Sequence, residues 1–377
     1  MVNRLLTVVQ ILPALASGGV ERGTLEVGAY LAAKGHRSIV ISAGGRMVKQ
    51  LEAQGSEHVT WSIGKKSLLT LKLVRRLRQF LEKEKVDILH VRSRFPAWIA
   101  YLAWKEMNPK TRPALVTTVH GPYSVSPYSE VMTKGERVIV ISEMIRDYVT
   151  TQYLVDTDRL RLIYRGVDAE VFPSGYQPAK DWLKQWYQEY PSTKDKDILV
   201  LPARVTKWKG QDDFIDLIAH LTKHHKHFHA LIVGEVKKGK VSYLKKLKKK
   251  VKQLGLTDWI TFIGHRNDLK EIMALSKIVY SLSTEPEAFG RTTIEALSLG
   301  VPVIGYAHGG VSEQLAELLP DGRIEVGNIA EATMLTLSWL HQPPKVAINE
   351  VFSLNQMLEK TLAVYQELAV LRKRGGS

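Results

Sequence analysis

Short runs of valine, isoleucine and leucine recur along this chain, each followed by an amphipathic stretch, and the alternation is played out twice. Nothing else in the sequence restricts the fold as much. In the first round, Leu5–Leu12, Ser38–Ser42, Asp87–Val91, Ala114–Val119, Arg137–Ile141 and Leu160–Tyr164 read as strands. Between them Val20–Lys34, stopped by Gly35, and Leu68–Glu84 carry apolar residues at helical spacing. Strands that are apolar throughout have both faces covered, which is the habit of a parallel sheet sandwiched by helices. A polar, aromatic-spotted stretch with a short helix at Ala179–Glu189 interrupts the pattern. It then resumes with strands at Ile198–Pro202, Ala230–Val233, Ile260–Ile263, Ile278–Ser281 and Val303–Tyr306, and helices near 210–226, 241–254, 268–275 and 291–299. A last helix, about 353–373, has no strand to serve.

The expectation is therefore an α/β protein of two doubly wound domains. Residues 1–172 form the first, 173–196 a connector, 197–350 the second, and 351–377 a helix packing back across the domains. Such sheets bind ligands beyond the carboxyl ends of their strands, here in a cleft that the two domains face. A chain of 377 residues is long enough for two such cores. No stretch approaches the roughly 18 uninterrupted apolar residues of a membrane span. Leu5–Ala16 has the apolar character of a signal-peptide core but no cleavage site, and reads as the first buried strand.

There is no cysteine, which removes disulfides, thiolate catalysis and cysteine-held zinc, and fits a reducing cytoplasm. The net charge of +15 comes from 53 basic and 38 acidic residues. A field of that sign attracts nucleic acid, anionic lipid or phosphorylated substrates without choosing among them.

Four local patterns narrow the choice. In Glu287-Ala288-Phe289-Gly290-Arg291-Thr292-Thr293-Ile294-Glu295, two carboxylates flank a turn that opens a helix. Amide groups at such a terminus bind phosphate, and glycine lets the backbone come close. In Ala203-Arg204-Val205-Thr206-Lys207-Trp208-Lys209-Gly210, just past a strand, Arg204 and Lys209 can neutralise a diphosphate leaving group without metal. Ser17-Gly18-Gly19-Val20-Glu21 is a glycine turn after the first strand, though it lacks the G-x-G-x-x-G dinucleotide signature. His120-Gly121 follows the strand Ala114–Val119, where a neutral imidazole could bond a sugar hydroxyl or a phosphate. Taken singly, each has an ordinary structural reading: a solvated glutamate pair, surface charges, a tight turn, a buried histidine. Their company is what argues for a site.

With those residues in hand, the chain resembles the GT-B retaining glycosyltransferases of family 4, over roughly residues 5–350. The E-x7-E segment, the R-x4-K loop, Gly18-Gly19, His120 and Ile163-Tyr164-Arg165-Gly166-Val167-Asp168 fall in that family's order, and His90-Val91-Arg92-Ser93-Arg94 looks like a variant of lipopolysaccharide-type members. Two departures stand out: Ala203 where the family usually has glycine, and Arg165 where asparagine is frequent. The resemblance implies two Rossmann-like domains, the first for the acceptor and the second for a nucleotide-diphosphate sugar. It implies that Glu295 holds the ribose and Glu287 the hexose. Arg204 and Lys209 would take the diphosphate with amides of Gly19, Phe289 and Gly290, and His120 would meet the hexose. Gly18 and Arg291 complete the expected donor set, with His265 and Arg266 near the base. Arg92, Arg94 and Arg165 are acceptor candidates, structural ion pairing being their other reading. Attack would occur on the face the leaving phosphate departs from, with no protein nucleophile, no metal and no cofactor. The acceptor would be lipid-linked or a cell-envelope or lipopolysaccharide glycan.

A basic, leucine-rich segment, 65–80, could lie on an anionic membrane or simply cover a sheet. The lysines of 237–252 sit on a helix with one apolar face and read as solvated. A cytoplasmic enzyme, peripheral on the inner face of the membrane, is the resulting picture. Two other classes compete. A basic nucleic-acid-binding protein would use the charge, but no zinc finger or RNA-recognition module is present, so nucleic acid is not an expected partner. A sugar-nucleotide epimerase on the same fold would need no acceptor.

Overall fold

The computed structural model describes residues 4–16 and 18–374, so Ser17 of the first glycine turn lies outside the described residues. The chain divides into two compact units. One holds the residues up to Arg165 together with those from Asn355 onward, and the other is Gly166–Leu354.

The first unit is built on seven strands: β1 (Thr7–Ile11), β2 (Arg37–Ser42), β3 (Glu57–Thr60), β4 (Ile88–Val91), β5 (Ala114–Val119), β6 (Arg137–Val140) and β7 (Leu160–Leu162). They pair in parallel in the order β3-β2-β1-β4-β5-β6-β7. The second unit has six: β8 (Asp197–Pro202), β9 (Phe228–Val233), β10 (Ile260–Gly264), β11 (Ile278–Ser281), β12 (Val303–Tyr306) and β13 (Arg323–Ile324). Their order is β10-β9-β8-β11-β12-β13, again parallel. Every residue of β4, β5, β9 and β12 is buried, as two helical layers demand. In each sheet the winding reverses once, between β1 and β4 and between β8 and β11. The loops leaving those strand pairs therefore part to opposite sides and leave a crevice between them.

Most expected strands and helices are present, with ends shifted by a residue or two, except that the helix expected near 210–226 stops at Leu221. Several elements gave no signal. β3 is short and polar (Glu57, His58, Thr60) and lies at a sheet edge. The helix Arg94–Lys105 is apolar nearly all round, so it has no period to read; its Pro96 sits harmlessly in the first turn. Helices Glu143–Gln152, Gly309–Leu318 and Ile329–His341, and the two-residue β13, were likewise not foreseen.

Two assignments at the domain borders change more. The stretch expected as a connector, 173–196, is part of the second unit's core. Its helix Lys180–Glu189 buries Trp186 against Ile198, Val200, Leu231, Val233 and Ile272, stacked on Trp182 and tilted against Tyr190, with its ring N–H donated to Thr193. Polar spacing hid an aromatic face, and aromatic area carries a large share of burial energy. The final helix, Leu354–Arg374, belongs to the first unit. Glu367 receives Arg137 and Arg161, Arg372 meets Glu136 at 2.7 Å, and Tyr365 is fully buried against His90.

Candidate active site

The second unit's candidate residues converge where β8 and β11 part. The loop after β8 is pinned at both ends. Gln211, wholly buried, donates its amide to the Arg204 carbonyl (3.0 Å), and the Val205 amide bonds the Glu235 carbonyl. Gly210 is left-handed (φ 74°), and a Cβ there would lie 1.9 Å from the Leu282 carbonyl oxygen. Only glycine lets the loop after β8 press on the loop after β11. The Thr284 amide then bonds the Trp208 carbonyl at 2.8 Å, and Lys209 Nζ meets Glu287 Oε2 at 2.6 Å. Both side chains are mostly enclosed, 12% and 17% exposed. Burial, and secondarily Arg204, pull the Lys209 ammonium below its ordinary range, while Glu287 works against that shift. Arg204 therefore shares the electrostatic neighbourhood of Lys209. Its guanidinium is exposed, with no hydrogen bond or ion pair among the described residues.

The other oxygen of Glu287 accepts the Ser283 hydroxyl, and the Ser283 carbonyl accepts His308 Nε2–H at 2.6 Å. The His308-Gly309-Gly310 turn after β12 underlies the segment, with the Gly310 amide bonded to the Glu287 carbonyl (2.8 Å). A Cβ on Gly309 would lie 2.6 Å from that same oxygen, and one on Gly310 2.5 Å from Phe289 Cα. Gly290, again left-handed, begins the helix Arg291–Ser298 without a side-chain cap. The amides of its first turn are thus open to an anion, with the positive end of the helix behind them. Phe289 is buried against Phe352, and its carbonyl accepts the Gln314 amide. One turn in, Glu295 is nearly buried and lies 3.6 Å from Arg291 across the helix face. Near the expected base position, His265 is exposed, whereas Arg266 is engaged by Asp268 and Glu189 and lies over Trp186 and Tyr190. Arg266 thus closes the aromatic helix of this unit as well as bordering the β10 loop.

In the first unit, Gly18 (φ 134°) ends the loop after β1, and the helix Gly19–Ala33 starts beside it. Beyond β5, the His120 amide bonds the Tyr123 hydroxyl, and His120 Nδ1 receives Arg165 Nη2 at 2.6 Å. Burial first, then Arg165 and Arg92, hold this imidazole well below its usual range, so it is neutral near pH 7. Beyond β4, Arg92 is 2% exposed and donates Nε–H to Gln10 Oε1 at 2.9 Å. It also bonds Tyr365, whose hydroxyl lies 2.6 Å from His90. This is an interior position, not a surface an acceptor meets. Arg165 is also buried, against Gly23 and Met357. Of the three arginines only Arg94 is partly open, lying over Tyr123 and Tyr128 and bonded to Ser129. The hydrogen bonds of Arg92 go to an amide and a phenol, with the Glu26 carboxylate adding to the field there, and those of Arg94 go to hydroxyls beside aromatic faces. Among the described residues no group of three or more histidine, aspartate or glutamate side chains is placed to hold a metal ion.

Comparison with known proteins accords with this geometry. A model described as Glycosyltransferase Family 4 matches residues 17–171, and one described as Glycosyl transferases group 1 matches residues 184–347. The crystal structure of a glycosyltransferase from Rickettsia africae is 31% identical, covers 97% of this chain and 98% of its own, and superposes with a TM-score of 0.86. This chain belongs to the glycosyltransferases. Its pair of parallel sheets is the GT-B fold, shared at 19% identity and a TM-score of 0.80 with Anabaena HepE, a structure in complex with UDP and glucose covering 96% of this chain and all of its own. Among curated relatives, an N-acetyl-alpha-D-glucosaminyl L-malate synthase of Bacillus anthracis is 27% identical over 80% of this chain and 78% of that protein. The lipopolysaccharide core mannosyltransferase LpsB of Rhizobium meliloti is 28% identical over 44% of this chain and half of its own length. The glycosyltransferase is thus similar to enzymes of mixed acceptors, and the likeness is not confined to lipopolysaccharide members.

Sequence reading of this glycosyltransferase missed Ser283, His308 and the glycines after it, and the interior contacts that bring Gln10 to Arg92 and both Tyr365 and Thr118 to His90, whose Nε2 lies 2.7 Å from the Thr118 hydroxyl. His308-Gly309-Gly310 repeats the strand-then-His-Gly signal of His120-Gly121 and could have been found by it. Nothing local marks Tyr365, which reaches His90 from the far end of the chain.

Proposed function

We propose that this glycosyltransferase moves a hexose, with retention, from a nucleoside-diphosphate sugar to a lipid-linked or cell-envelope glycan acceptor. The second unit takes the donor and the first the acceptor. The supporting observation is the Lys209–Glu287 pair at 2.6 Å beside the unpartnered Arg204 and the uncapped helix at Gly290. In this reading the anomeric C–O bond to the diphosphate breaks as charge grows on the leaving oxygen. Arg204, Lys209 and the first-turn amides stabilise that charge, which is where preorganised donors act most strongly. The acceptor hydroxyl forms its bond to the same face, and its proton passes to the leaving phosphate oxygen. No protein nucleophile enters, and the two cations stand where a metal would otherwise be required. Glu287 contacts the hexose and Glu295 the ribose once the diphosphate has drawn Lys209 and Arg291 toward itself. His120 donates to a hexose hydroxyl.

A peripheral place on the inner face of an anionic membrane is part of the proposal. Leu69 and Leu71 are 70% and 49% exposed, beside exposed Lys65, Lys66, Lys72, Arg75 and Arg76. Apolar tips set among cations suit an anionic interface, and among the described residues no helix is long and apolar enough to cross one.

Calorimetry of UDP, GDP and ADP in the presence of a chelator tests the donor half. One of them is expected to bind saturably, and to lose its binding in Arg204→Ala and Lys209→Met. Binding that appears only on adding a divalent cation, or none to any of the three, overturns the reading. For the membrane half, Leu69→Ser/Leu71→Ser is expected to release the protein from anionic vesicles; equal sedimentation of both proteins refutes it.

A further inference from the structure

A hydrogen bond between a guanidinium and an imidazole admits one direction. Arginine offers five N–H donors and no acceptor, so His120 Nδ1, 2.6 Å from Arg165 Nη2, is the acceptor and carries no hydrogen. The single proton of the neutral ring then sits on Nε2. That nitrogen is buried and has no hydrogen-bond partner among the described residues. Leaving such a donor unmet costs on the order of 1–3 kcal/mol, so a buried one points to a ligand that completes it. Arg165 is held in turn. It is 7% exposed, and its Nη1 lies where a Cβ on Gly23 would be 2.7 Å away, so the bare backbone of the first helix makes its seat. The charged and titratable groups that bear on the ring are Arg165, Arg92 and His90, with the Tyr123 hydroxyl on its backbone amide.

We propose that Arg165 is a positioning residue that fixes His120 in its neutral Nε2–H form, as a donor to a substrate oxygen and unavailable as a proton-accepting base. The identity of that oxygen, a hydroxyl of the transferred sugar, rests on the glycosyl-transfer reading; the proton position does not. A general-base role for His120 would need its Nε2 lone pair, which this arrangement occupies with hydrogen. Protonation is opposed as well, because the only site left is the nitrogen already facing a cation.

Nitrogen NMR of the full-length protein with labelled histidine tests the arrangement without any substrate. His120→Gln identifies the His120 signals among the 12 histidines. In the parent protein Nδ1 is expected to stay unprotonated and Nε2 protonated from pH 8 to pH 5.5. In Arg165→Met the proton of the neutral ring is expected to be shared between Nδ1 and Nε2, and the ring to take up a second proton at a higher pH than in the parent, while burial and Arg92 still hold it below its ordinary value. Gly23→Ala, which displaces the guanidinium while keeping both partners, is expected to shift the same signals less far. In turnover, kcat/KM of Arg165→Met relative to the parent is expected to be down about tenfold at pH 8, the size of one hydrogen bond. It recovers in part as the pH falls and the variant ring takes up its second proton, because a charged ring carries N–H on both nitrogens. A purely structural loss would give no such recovery. A parent His120 that titrates within the window, or that carries its proton on Nδ1, overturns the proposal. So do ring signals unchanged in both variants. Failure of every nucleotide-sugar to turn over would undo the functional reading and leave the NMR result standing.

Discussion

After β8 and β11 of the second unit, cations meet carboxylates: Lys209 with Glu287, Arg291 with Glu295. At the corresponding ends of the first unit's strands, Arg92 and Arg165 hydrogen-bond neutral groups, Gln10, Tyr365 and His120, with the Glu26 carboxylate bearing on Arg92 through its charge. A cation paired with a carboxylate near the surface can be transferred to a phosphate at small net cost, since one charged partner replaces another. A cation bonded to an amide, a phenol or an imidazole deep in a sheet edge has no such exchange open to it. Its service is to fix the partner's shape and proton. The second unit is thus arranged to trade contacts with an anionic ligand, and the first to hold a rigid polar surface.

The strongest way to break that contrast is Lys209→Met. Turnover is expected to fall by about a hundred- to a thousandfold, the range for losing one charge-stabilising donor, with an unchanged circular dichroism spectrum. Near-normal kcat would move the positive centre elsewhere in the unit.

Acid sharpens the contrast next. Burial lowers the pKa of His229 in the second unit to about 4 and holds His90 and His120 of the first well below their ordinary value. For such groups the unfolded chain takes up the proton first. Stability is therefore complete above about pH 6.5 and drains away as the pH falls toward the folded-state value. His229 alone accounts for roughly 2–3 kcal/mol between pH 7 and 4.5. With His36 and His58 also lowered by burial, the first unit carries four such histidines against one and is expected to lose hydrogen-exchange protection before the second. Urea titrations at the two pH values check the total, and His229→Gln should reduce the difference. A second unit that opens first would refute the ordering.

The smallest effect belongs to Tyr365→Phe, which removes one hydroxyl shared by His90 and Arg92. A stability loss of about 1 kcal/mol is expected, read as a shifted urea midpoint at constant slope. No loss would mean that the neutral partners of the first unit are incidental.

The sequence made the fold legible because its strands are apolar on both faces and each stands apart from the next. Where that signal failed, a competing one had hidden it: the apolar girth of Arg94–Lys105 blurred its period, and polar spacing disguised the Trp186 face as linker. The second half-site was readable for a related reason. Arg204 and Lys209 lie in one short loop, and Glu287, Gly290 and Glu295 in one continuous loop-to-helix segment, so local order carries the chemistry. The first half-site joins Gln10, His90, Thr118 and Tyr365, whose meeting depends on strand order and on a helix from far down the chain. Arg165 was noticed only as a departure from a motif, and its bond to His120 needed coordinates to be seen.

The return of the helix Leu354–Arg374 to the first unit also has a bearing on how the protein is made. His90 and Arg137 cannot obtain Tyr365 and Glu367 until the whole of Gly166–Leu354 has been translated. At about 5–20 residues per second this leaves the amino-terminal sheet waiting on the order of ten seconds or more for its closing helix, while the unit encoded in between is free to mature ahead of it.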